Sequence, residues 1–133
     1  MDRYSTDAAL SDGRMVKIFE PVVEKDLDAL VAFLSGLPQS ERKNMRYNVT
    51  DRRYAEQRVR MVDGVDHWRL VAELDGVIVG DATMDRSLYP WTRHVADLRS
   101  AVDPRVEPLG VRALLLKALV EVSGHAGIER LCS

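Results

Sequence analysis

The chain has 133 residues, 46% of them hydrophobic and 30% charged, which is enough for one packed domain and too little for two. That balance excludes a disordered tail or a fibrous repeat, and no run approaches the roughly 20 apolar residues of a bilayer span. With 19 Lys+Arg against 21 Asp+Glu the net charge is −2, so neither nucleic acid nor an acid-rich protein is an expected partner, and any polyanion site has to be local.

From Met1 to Gly13 most residues are Ser, Thr, Asp, Ala or Gly, which bury too little to offset their ordering entropy. The reading is a flexible leader over 1–14. Its Asp2, Asp7 and Asp12 and the lack of an apolar segment exclude a secretory signal. A single domain over 15–133 is expected, with the cytoplasm as its location. Met15 to Glu20 predicts a first strand closed by Pro21, which cannot continue a ladder. From Glu24 to Ser35, Leu27, Leu30, Val31 and Leu34 recur on one helical face, and Gly36 stands where a left-handed cap is usual.

A second helical stretch is expected between Ser40 and Val62, broken near Asn48 to Thr50, with Thr50 as an N-cap and Ala55, Val59 and Val62 on one face. Its polar side is basic, with Arg42, Lys43, Arg46, Arg52, Arg53, Arg58 and Arg60 against Glu41, Asp51 and Glu56. A solvated face laced with ion pairs fits that pattern, and so does a site for an anionic substrate or nucleic acid. His67–Leu74 and Val77–Met84 are strand-like runs joined by Asp75-Gly76, the pair that a type I′ hairpin favours. Thr92 to Val102 reads as a further strand ended by Asp103-Pro104. Leu109 to Val122 reads as an apolar helix with Leu114, Leu115, Ala118, Leu119 and Val122 on its buried side, and Ile128 to Cys132 begins one more strand. The closing strand–helix–strand unit implies a parallel crossover, and with it a mixed sheet of α/β (α+β) class.

His67, His94 and His125 share no ligand spacing with carboxylates or with Cys132, so no metal site is expected. The lone Cys132 excludes an intrachain disulfide and reads as core. Trp68 reads as packing, Tyr47 and Tyr54 as cover for the sheet, and Trp91 as either packing or an acceptor contact.

From Val102 the chain runs Val-Asp-Pro-Arg-Val-Glu-Pro-Leu-Gly-Val-Arg-Ala-Leu-Leu-Leu and reaches Ala-Gly-Ile-Glu-Arg-Leu after one helix. This resembles the acetyl-CoA-binding core of the GNAT superfamily of N-acetyltransferases, and the preceding element order resembles that fold from about Met15 onward. The family's strand ends in Val-x-Pro, and a loop of pattern Gln/Arg-x-x-Gly-x-Gly/Ala opens the next helix. That pattern falls on Glu107, Pro108, Leu109, Gly110, Val111 and Arg112. Helix-start N–H groups suit a diphosphate when no bulky side chain blocks the approach. Gly110 matches the first family glycine, Arg112 replaces the second, Glu107 replaces the Gln or Arg, and Pro108 removes an N–H. Arg112 either bonds a phosphate or fills the space the cofactor needs.

The resemblance implies acetyl-CoA as co-substrate, bound by Pro108, Leu109, Gly110, Val111, Arg112 and Ala113 at the diphosphate and by the backbone of Ser100, Ala101 and Val102 along the pantetheine arm. It implies direct attack by an amine of a small molecule or protein in a ternary complex. Asp97 matches a strand position where many relatives carry a glutamate base; a cross-sheet pair with Arg99 or Arg93 is its structural alternative. The family's general acid lies beyond the next strand, so this is a GNAT-like domain lacking the last helix and hairpin. The expectation is either a fragment of a longer product, or a chain whose edge at Ile128 to Cys132 is covered by a second copy, as a homodimer, or by another partner. The alternative function is a catalytically inactive GNAT-like binding or dimerisation module, as the altered loop residues suggest.

Overall fold

The computed structural model describes residues 4–38, 52–62, 67–86, 95–124 and 130–132. Strands β1 (Ser5–Ala9) and β2 (Met15–Phe19) are followed by helices α1 (Val23–Ser35) and α2 (Arg52–Arg60) and by strands β3 (His67–Leu74), β4 (Val77–Arg86) and β5 (Val95–Val102). A 3-10 turn (Glu107–Leu109), helix α3 (Val111–Val122) and strand β6 (Arg130–Cys132) complete the order. The strands form one sheet in sequence order, antiparallel from β1 to β5, with β6 parallel to β5. The mixed sheet and the β5–α3–β6 crossover expected from the sequence are both present.

The expected leader over 1–14 is the main departure. Ser5 to Ala9 pairs with β2 from Ser5↔Phe19 to Ala9↔Met15. Leu10 enters the core at 4% exposure, and its N–H bonds the Arg14 carbonyl at 2.8 Å across a turn containing Gly13 at φ 91°. Ladder bonds, the buried Leu10 and the partly buried Tyr4 and Ala8 order a segment whose composition alone would not. Gly36 also differs: its φ of −87° is right-handed, and its N–H closes the last turn of α1 onto Ala32 and Phe33 carbonyls. The Asp75-Gly76 hairpin is as expected, with φ of 52° and 81° as a type I′ turn requires.

The sheet carries a core on each face. On one, Leu115 and Leu119 of α3 pack against Ile18, Leu70, Met84 and Val102; on the other, Leu30 and Leu34 of α1 and Val59 of α2 pack against Val71, Ile78 and Ala101. Trp68 is 3% exposed and serves packing, with the Arg86 guanidinium over its ring. Gly80 lets α3 sit close to β4, since a Cβ there would lie 2.8 Å from Leu115 Cδ1 and 3.1 Å from Val111 Cγ1. Among the described residues no helix is long and apolar enough to cross a membrane.

Several expectations lie outside the described residues: the helical stretch before Arg52 with Arg42, Lys43, Arg46 and Tyr47, the Asn48–Thr50 break and cap, Arg93, Trp91, His94, His125 and the start of the last strand. The side chains of Tyr54 and Cys132 lie outside them as well.

Candidate functional site

Two polar groups meet along β5. The first lies where β5 leads into α3. Asp103 N–H bonds the Val79 carbonyl at 2.9 Å, which fixes the phase of the β4–β5 ladder. Strand alternation then turns the backbone of Ala101 toward its partner Asp81, and that of Leu98, Ser100 and Val102 toward the opposite flank. On that flank the described pairings with β6 run from Val95↔Arg130 to Asp97↔Cys132.

After Asp103 the chain winds through the 3-10 turn to Gly110, held left-handed at φ 93°, where an added Cβ would meet nothing within 4 Å. Gly110 is the residue best suited to that conformation. Leu109 and Gly110 donate their N–H groups to the Val106 and Glu107 carbonyls at 3.0 and 3.2 Å. The first intrahelical bond of α3 runs from Leu114 N–H to the Gly110 carbonyl. The N–H groups of Val111 and Ala113 therefore have no intrahelical acceptor and present partial positive charge at the helix start.

Arg112 crosses this mouth. Its Nε donates to Glu107 Oε1 at 2.7 Å, and its Nη1 donates to Ser100 Oγ at 2.7 Å and to the Ser100 carbonyl at 3.2 Å. Glu107 Oε2 has no hydrogen-bond partner among the described residues, although the side chain as a whole is 41% exposed.

The second group lies on the opposite face, under α1 and α2. His67, Asp85 and Asp97 occupy one cross-strand row, and residues directly opposite share a face. Asp85 accepts from His67 Nδ1 and from Arg58 Nη2 of α2, each at 2.9 Å. Deeper in, Arg69 Nη1 donates to both oxygens of Asp81 at 3.1 and 3.2 Å. Burial pushes the Asp81 carboxyl above the usual carboxylate range, while Arg69 and Arg58 pull it back. Of the basic residues on α2, Arg52 pairs with Asp28, Arg58 with Asp85 and Arg60 with Glu56, so the ion-pair reading of that face fits them.

No protein-family model matches the chain. A stretch of 63 residues is 36% identical to the L-amino acid N-acetyltransferase AaaT of Escherichia coli; it spans 47% of this chain and only 39% of that protein. The GNAT domain of S. lividans PAT superposes at a TM-score of 0.76 and 23% identity, over 96% of this chain and 76% of that one. The chain has the GNAT fold. PaiA N-acetyltransferase from Thermoplasma acidophilum, in complex with coenzyme A, is also similar, with a TM-score of 0.66 and 15% identity over 85% of this chain and 74% of its own.

Within the GNAT fold, Gly110, Val111, Arg112 and Ala113 gather at one mouth with Ser100. Ala101 departs from the expected pantetheine set, because its backbone faces β4 and its side chain is fully buried against α1. Asp97, half-buried, sits at the end of the polar row, where the described β6 pairing stops. The sequence pointed to neither Asp85 nor the Arg69–Asp81 pair, and named Arg58 only within the basic face and His67 only as lacking ligand spacing. The signal was present: Asp81, Thr83 and Asp85 alternate with apolar residues, which places them on one face of β4.

Proposed function

We propose that this chain is the acetyl-CoA-binding domain of an N-acetyltransferase, which passes an acetyl group directly to an amine in a ternary complex. The observation that carries the reading is the course of β5: past Asp97 its backbone turns alternate residues to the flank beyond the described β6 pairs, and it then enters α3 through left-handed Gly110. On this reading the pantetheine arm lies along Ser100 and Val102, and the diphosphate rests at the amides of Val111 and Ala113. The similar PaiA enzyme is in complex with coenzyme A, which supports coenzyme A as the kind of ligand.

The thioester then falls near Asp97, where the donor flank and the polar face meet. An amine with a pKa of roughly 10.4 arrives protonated. Asp97, directly or through one water, accepts a proton; the amine nitrogen attacks the thioester carbon, the C–N bond forms, and the C–S bond breaks to release the coenzyme A thiolate. The thiolate takes up the second proton, which the nitrogen sheds through solvent as it becomes the amide. Acceptors are amines of small molecules or proteins; the name of the Escherichia coli relative favours an L-amino acid. The test is acetyl transfer to a panel of amines by the purified protein, with Asp97→Asn losing turnover but not acetyl-CoA binding. Transfer at wild-type rate by that variant would remove Asp97 from the chemistry.

A second reading, a GNAT-fold module without catalysis that serves binding or dimer formation, is favoured by one observation: the Arg112 guanidinium already occupies the Ser100 carbonyl. It predicts neither heat nor a thermal shift with coenzyme A.

A further inference from the structure

We infer that Arg112 makes the acyl donor's diphosphate a condition of entry, so that the chain accepts coenzyme A thioesters and refuses pantetheine thioesters that end short of the diphosphate. The inference rests on the acetyl-CoA reading above. Arg112 is held by Glu107 Oε1 at 2.7 Å, Ser100 Oγ at 2.7 Å and the Ser100 carbonyl at 3.2 Å. That carbonyl is the backbone acceptor to which the pantetheine arm is assigned, and a guanidinium lying on it fills the space an incoming amide N–H needs. Any donor must first move Arg112 off, breaking charge-assisted bonds.

Only a ligand with an anion at the right place compensates for that loss. Arg112 stands in the first turn of α3, beside the amides of Val111 and Ala113, so a diphosphate at the helix start meets the guanidinium a short side-chain rotation from its resting place. A planar guanidinium suits phosphate oxygens bidentately. Glu107 is a partner within reach of solvent: its Oε1 holds Arg112, while the side chain as a whole is 41% exposed, so water can solvate the carboxylate when the clasp opens. A pantetheine thioester breaks the same bonds and brings no anion to replace them. Both departures from the family loop pattern, Glu107 and Arg112, thereby acquire one shared role.

The experiment titrates acetyl-CoA and S-acetylpantetheine by calorimetry into the wild-type chain, Arg112→Ala and Glu107→Gln, with thermal melts confirming that each is folded. The wild type is expected to bind acetyl-CoA and to bind S-acetylpantetheine far more weakly. Arg112→Ala should move the two ligands in opposite directions, weakening acetyl-CoA about tenfold and tightening S-acetylpantetheine by a similar factor. Glu107→Gln, which loosens the clasp and keeps the guanidinium, should tighten acetyl-CoA about threefold to tenfold, and it serves alone if Arg112→Ala does not fold. Wild-type binding of acetyl-CoA with both donors shifting the same way in Arg112→Ala, or with Glu107→Gln unchanged, overturns this inference and leaves the acetyl-CoA reading standing. Binding of neither donor by any of the three proteins overturns both.

Discussion

Arg69 and Asp81 are each 3% exposed, and the carboxylate takes the guanidinium on both oxygens. Such a pair adds little net stability when intact and costs much when halved, because the surviving charge is left without compensation. Asp81→Asn should therefore lower unfolding free energy by about 3–5 kcal/mol in denaturant melts, whereas the double change Arg69→Met with Asp81→Leu should recover most of that loss. Asp103 behaves differently. The Arg105 side chain and then its backbone N–H hold the Asp103 carboxyl below the usual carboxylate range. A depressed acid contributes stability above the ordinary value near roughly 3.9, and that contribution disappears as pH falls through the depressed one. Arg105→Gln should flatten the stability profile across this acid window; an unchanged profile would show that the pair, whose arginine is exposed, contributes nothing. At Asp97, the Asn variant should reduce turnover by about 100-fold or more with acetyl-CoA affinity retained. Asp97 is a candidate base only through the family resemblance, and its neighbours in the row were not legible in the sequence. His67 and Asp85 lie eighteen positions apart, and nothing short of the hairpin register brings them into one row.

At the scale of elements, the placement of the α3 start depends on close packing. Gly80 admits Leu115 and Val111, both fully buried, against β4, so Gly80→Ala should cost about 1–3 kcal/mol by overpacking and should loosen acetyl-CoA binding through displacement of Val111. A melting temperature equal to the wild type would contradict the close approach. Gly110→Ala meets no steric neighbour, but a left-handed φ of 93° should still cost about 1–2 kcal/mol. The hairpin, α1 and α3 were readable because their apolar residues repeat at the period of the element and their turns carry Asp-Gly or Gly. β1 was not. Its residues alternate only between exposed and half-buried, so an edge strand of Ser, Thr, Asp and Ala leaves no hydrophobic contrast to read, and only its ladder with β2 reveals it.

For the molecule as a whole, the GNAT fold brings together three features that are weak apart. One is the flank of β5 past Asp97, another the helix start at Gly110, and the third the polar row of His67, Asp85 and Asp97. The fold was legible from the β5–α3–β6 order and the Val-Asp-Pro stretch, since a parallel crossover constrains topology more than any single residue does. The state of the mouth was not, because sequence left Arg112 either bonding a phosphate or filling its space, and only the folded chain shows the guanidinium resting on Ser100. Calorimetric titration of acetyl-CoA into the folded wild-type chain tests the central claim most directly. Saturable binding of one acetyl-CoA per chain, with a rise in melting temperature that grows with ligand concentration, is the predicted result. A chain that melts cooperatively yet gives no heat and no shift at millimolar acetyl-CoA would contradict it.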